Sequence, residues 1–124
     1  MSILVGKHIK KVLFGGNLNV GDRIFLEGLD RETSYPYIIF SYSVIPEIGT
    51  KDGGMDNCQL VISIFSKDGD SSLELADKVR RLLENSSGDY GNFSVIDTEF
   101  GSYRGGLNEG VYERELEFTI KTSY

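Results

Sequence analysis

A strand followed at once by a helix is the most constraining stretch of this chain: residues 59–84 read QLVISIFSKDGDSSLELADKVRRLLE. Leu60, Ile62 and Ile64 alternate with Val61, Ser63 and Phe65, so both faces of the strand carry bulk. A strand that is bulky on both faces belongs inside a sheet rather than at its edge. Lys67 to Asp70 break the run, and Ser71 with Glu74 has the spacing of a capping box. Leu75, Ala76, Val79, Leu82 and Leu83 then share one helical face, while Glu74–Lys78 and Asp77–Arg81 are i,i+4 pairs on the other. Burying one large apolar side chain is worth about 1.5–3 kcal/mol. That face therefore needs a partner surface, and the preceding strand is the nearest one. Gly88 suits a stop after the helix.

Shorter elements flank this unit. Ser2 is placed to cap a first helix running to about Phe14, with Val5, Ile9, Val12 and Leu13 inward, Lys7, Lys10 and Lys11 outward, and Gly15-Gly16 at its end. Arg23 to Leu26 reads as a short strand. Tyr37 to Val44 reads as a longer one, opened by Pro36, where the missing donor lies outside the ladder. Phe93 to Phe100 and Glu115 to Lys121 complete the set; in the last, Leu116, Phe118 and Ile120 point inward. Residues 45–57 and 101–110, both rich in glycine, read as flexible loops. The expectation is one α+β domain over residues 1–124: a small, mostly antiparallel sheet of about four to five strands with two helices packed on it.

Charge and composition narrow the function. Thirteen basic residues against nineteen acidic give a net charge of −6, unlike the basic surface of a general nucleic-acid binder. The one cysteine, Cys58, cannot form an intramolecular disulfide, and no apolar run resembles a signal peptide or a membrane span. The expectation is a protein of a reducing cytosol, with no membrane partner.

Candidate chemistry is sparse. His8 has no second histidine to complete a metal site, and reads as a partly buried or surface residue. Asp97, Glu99, Glu113, Glu115 and Glu117 offer carboxylates for acid–base work or a divalent cation, but alternating acids more often form the wet face of a strand. A Cys58–His8 pair is weaker still than a buried apolar role for Cys58. Arg23, Arg104 and Arg114 suit an anion, or more plainly the many acids around them. No cofactor and no metal are expected.

Several local patterns carry a family likeness: Asp22-Arg23-Ile24, Tyr35-Pro36-Tyr37-Ile38, Ile64-Phe65-Ser66-Lys67-Asp68-Gly69, and a helix bearing Ala76 and Leu82-Leu83. Together, over roughly Lys7 to the C-terminus, the chain resembles the tail-completion (tail-terminator, tail-to-head joining) proteins of long-tailed phages and prophages. The resemblance implies a structural protein of the virion tail, assembled in the host cytoplasm and not an enzyme. It implies a homo-oligomer, commonly a hexameric ring, at the head-proximal end of the tail tube. The ring stops tube polymerisation and meets the head connector, and DNA passes through its lumen without specific binding. Residues expected at the contact between copies are Lys7, Lys10, Lys11, Ile48, Lys51, Met55, Tyr103, Arg104, Glu113, Glu115 and Glu117, with the basic first helix of one copy against the acidic strand face of the next. Two other readings compete with this one: a stand-alone binding module for a small molecule or protein partner, and an enzyme built on the carboxylates of residues 97–117.

Overall fold

The computed structural model describes residues 3–28, 33–46 and 55–123. In chain order they form α1 (Val5–Gly15), β1 (Ile24–Leu26), β2 (Tyr37–Pro46), β3 (Met55–Ser66), α2 (Gly69–Leu83), β4 (Gly88–Asp89), β5 (Ser94–Asn108) and β6 (Val111–Ser123). The strands lie in the order β1-β2-β3-β6-β5-β4 in a single sheet, which curls into a half-barrel.

This corrects the expected sheet. It has six strands rather than about four to five, and it is mixed, because β1 runs parallel to β2. The added strand is β4, and the parallel pairing comes from β1, the short strand expected at Arg23 to Leu26. β4 is two residues long, and β1 is three residues with Ile24 opposite Ile38. Neither carries enough alternation to announce its partner.

Register explains the core. β3 pairs with β2 on one side and β6 on the other, so Ile62 faces Phe40 and Leu116 across its two ladders. Ile38 and Phe40 on β2, Cys58, Leu60, Ile62 and Ile64 on β3, and Leu116, Phe118 and Ile120 on β6 are all buried on one face. Both helices cover that face. α1 contributes Val5, Ile9 and Leu13, and α2 contributes Leu75, Ala76, Val79 and Leu83. Gly6 lets α1 approach closely: a Cβ there would lie 2.6 Å from the Tyr42 hydroxyl, which donates to the Ile3 carbonyl.

Helix boundaries differ in detail from expectation. α2 begins at Gly69, and its cap is Asp68, whose carboxylate accepts from the Ser71 amide at 3.1 Å. Ser71 therefore sits inside the helix and turns its hydroxyl to Asp68, so the Ser71–Glu74 capping box does not form. The Asp77–Arg81 pair closes at 2.7 Å and Arg80–Glu84 at 3.3 Å. Asn85, in the left-handed region at φ 64°, ends the helix instead of Gly88, which lies in β4. The expected cap of α1, Ser2, falls outside the described residues.

Both glycine-rich stretches contain more strand than expected. β2 runs on to Pro46 and β3 starts at Met55, so residues 47–54 alone separate them, and these lie outside the described residues. Residues 101–108 are not a loop but the outer half of β5, paired with β6 as far as Asn108 opposite Val111. The hairpin turns at Glu109-Gly110, both with positive φ.

Candidate functional site

The helices leave the other face of the sheet uncovered. The ladders arrange it in cross-strand rows: Tyr37–Phe65–Glu113–Gly106, then Ile39–Ser63–Glu115–Arg104, then Ser41–Val61–Glu117–Ser102, then Ser43–Gln59–Thr119–Glu99. Side chains on one face meet directly across such pairs. Arg104 reaches both carboxylate oxygens of Glu115 at 3.0 Å, and Ser102 donates to Glu117 at 3.1 Å. Glu113 and Glu117 are exposed. The acidic strand face is thus real, and Arg104 is the cation that answers it within the same ladder. The Glu115 carboxylate holds the Arg104 guanidinium above its usual pKa.

At the hairpin end this face becomes aromatic. The Tyr37 and Phe65 rings stack at 4.8 Å, and Tyr35 leans on Tyr37 at 5.3 Å. Burial, then Tyr35, then Glu113 raise the Tyr37 pKa. The rings border a cleft of about 460 Å³ that Lys67, Asn108, Glu109, Val111 and Glu113 also line.

On the helix side lies a polar group that sequence reasoning undervalued. His8 is 1% exposed, not a partly exposed residue. Its Nδ1 lies 2.7 Å from the Tyr90 hydroxyl, and its Nε2 lies 3.0 Å from Ser86 Oγ. Ser86 Oγ is 3.0 Å from Thr98 Oγ1, which donates to the Ser86 carbonyl at 3.1 Å. That carbonyl can only accept, so it fixes the direction as far as the imidazole: the Thr98 hydroxyl is spent on it, Ser86 donates to Thr98, and Nε2–H donates to Ser86. In the neutral ring, Nδ1 then accepts from the Tyr90 hydroxyl. Burial, and secondarily Lys11, lower the His8 pKa, which favours that neutral form. One signal was available: His8 sits between Val5 and Ile9 on the inward stripe of α1.

Both ring nitrogens being engaged, no Cys58–His8 pair forms. Cys58 is fully buried, and desolvation pushes its thiol up to about 12, which keeps it protonated. Among the described residues no group of three or more His, Cys, Asp or Glu is placed to hold a metal ion. No helix among them is long and apolar enough to cross a membrane. Arg23 donates to the Pro36 carbonyl at 2.9 Å. Arg114 crosses to α2, donating to Ser72 at 2.9 Å and to the Tyr103 hydroxyl at 3.1 Å.

The residues expected at the contact between copies fall into three places. Lys7, Lys10 and Lys11 are exposed on α1, turned away from the sheet, with Lys11 Nζ 5.5 Å from the Tyr90 ring centre. Arg104, Glu113, Glu115 and Glu117 are brought together on the uncovered sheet face, whereas Tyr103 lies on the helix side of β5, opposite Leu116. Met55 is half-buried at the start of β3, and Ile48 and Lys51 lie outside the described residues.

A model of the family described as tail completion protein gp17 matches residues 12–122. The chain belongs to this family. Its role is accordingly a structural one in completing a phage tail, as a component of the virion. No curated protein matches the chain. Among solved structures, a chain of the virion of a native gene transfer agent particle superposes with a TM-score of 0.80 at 14% identity, covering 94% of this chain and 92% of that one. A second solved chain gives a TM-score of 0.61 at 12% identity, over 99% of this chain and 95% of that one. At such identities the likeness is one of fold. The family match runs from the second half of α1 through β6 and so takes in all six strands and α2.

Proposed function

We propose that copies of this tail-completion protein close into a ring, hexameric as the resemblance implies, at the head-proximal end of the tail tube. There the ring halts tube growth and joins the tube to the head connector. The single observation that carries the ring is the opposition of two charged surfaces. The lysines of α1 point away from the sheet on one side, and the acidic rows of β5 and β6 lie on the other. Complementary surfaces facing opposite ways suit a head-to-tail contact, in which each copy uses both once. A net charge of −6 also suits passive transit of DNA through the lumen, since an acidic wall does not hold a polyanion.

The variant K7E/K10E/K11E tests the contact. Ring formation is expected to be lost, read as a fall in mass by light scattering and as missing rings in negative-stain images. All three lysines are exposed, so the fold, checked by circular dichroism, should survive. Rings of normal mass in the triple variant would sink the basic-to-acidic contact.

A further inference from the structure

The aromatic end of the uncovered sheet face has a chemistry distinct from the acidic rows beside it. Tyr37 and Phe65 stack face to face, Glu113 is the cross-strand neighbour of Phe65, and Glu109 lines the same cleft from the hairpin turn. Ring faces attract cations, and carboxylates at the same opening add charge and hydrogen-bond acceptors. One cation is already present: Lys67 Nζ sits 5.2 Å from the centre of the outermost ring, Tyr35. It occupies one end of the row and leaves Tyr37, Phe65 and both carboxylates to a visitor. Two acids against one lysine keep the opening net negative.

The outer surface of α1 has the matching composition. Leu4, Lys7, Lys11 and Phe14 recur at spacings of three and four, so they form one stripe along the helix, with Lys10 beside it. Leu4 is 40% and Phe14 48% exposed, which is high for side chains of their size and leaves apolar surface on both sides of the lysines. A helix presenting apolar and basic residues at i, i+3 and i+7 is suited to a groove with apolar walls and acidic rims. Since α1 packs on the helix side of the sheet and the cleft opens on the other, the two cannot meet within one molecule.

We infer that the cleft bounded by Tyr37, Phe65, Glu109 and Glu113 receives a lysine of α1, Lys7 or Lys10, from a second copy of this chain. The inference rests on the reading that copies meet head to tail, and assigns that contact its anchor: an ammonium group over the Tyr37–Phe65 stack, held by two carboxylates, with Leu4 and Phe14 covering the aromatic rim.

Zero-length carbodiimide coupling, which joins a carboxylate to an amine in direct contact, tests this on the full chain. Unlabelled and ¹⁵N-labelled protein are mixed at high concentration, both free and assembled on tails, and linked peptides are read by mass spectrometry. Mixed-isotope peptides joining Glu109 or Glu113 to Lys7 or Lys10 are expected. The variant E109K/E113K is expected to weaken association by about tenfold or more, and adding K7E/K10E to the partner copy to restore most of it. Intermolecular links elsewhere, with none at Glu109 or Glu113, overturn the anchor and leave the ring standing. An absence of any intermolecular link in either preparation overturns both.

Discussion

Replacing Phe118 with alanine is expected to cost about 3–5 kcal/mol of stability, the range for deleting a fully buried phenylalanine. Phe118 is 1% exposed on β6, opposite Leu60 of β3 on one side and Phe100 of β5 on the other. Its ring meets Phe100 edge to face at 5.6 Å, and Arg80 from α2 lies 3.9 Å from the centre of the Phe100 ring. Truncation thus opens a void where the two most extensive ladders and α2 converge, in a place with little freedom to collapse. Tm should fall by on the order of 10 °C. Urea unfolding of F118A beside F14A provides the control, because Phe14 is 48% exposed and its loss should stay within about 0.5 kcal/mol. A cost below about 1 kcal/mol for F118A would place the centre of the core elsewhere.

The second large effect concerns His8 and carries a pH signature. Leucine at this position removes both ring nitrogens, so the half-buried Tyr90 hydroxyl loses its hydrogen-bond partner and Ser86 Oγ keeps only Thr98 Oγ1, at a total cost of about 1–3 kcal/mol. The wild-type histidine has its folded pKa lowered. The unfolded chain therefore takes up a proton more readily, beginning near pH 6.5. Stability from this group is complete above about pH 6.5 and is lost as pH falls from there through the folded value. Asp68 and Asp89 also have lowered pKa values, held down by their hydrogen bonds to Ser71 and to Gly91 and Ser94. Their contribution persists until about pH 4, so the two windows separate. Urea unfolding at about pH 7.5 and about pH 5 should show a drop in the wild type and almost none in H8L. Equal drops in both would assign the pH dependence to other groups.

The sequence revealed its elements unevenly, for physical reasons. The apolar run of Leu60, Ile62 and Ile64 with Val61 and Phe65 places β3 inside the sheet: the first three are buried under the helices, and the other two pack beside cross-strand neighbours on the second face. The alternation from Glu115 to Lys121 likewise exposed the inward stripe of β6. The outer half of β5 was hidden because Gly101, Gly105 and Gly106 resemble a loop. At least one of these glycines suits the strand itself: a Cβ on Gly101 would lie a tight 3.2 Å from the Glu117 carbonyl oxygen, at a bulge between Phe100 and Ser102. The cap of α2 was misassigned because Asp68 and Ser71 both carry capping side chains, and which one closes the first turn depends on where the backbone leaves the strand. The cleft is not legible in the sequence. Tyr37, Phe65 and Glu113 are far apart in sequence, and nothing short of the strand register makes them neighbours.

β4 pairs with β5 at Ser94 and Val95, and from Ile96 to Asn108 the outer edge of β5 meets no other strand among the described residues. Successive amides of a strand point to opposite sides, so in this stretch those directed at β6 are bonded and those between them face outward. In the free protein, hydrogen exchange along β5 should accordingly alternate between slow and fast, with the phase slipping at Ile96 and again at Gly101, where the bulges insert a residue. A partner that merely touches the sheet face would leave that rhythm intact, whereas one that added a strand to the edge would silence the fast amides.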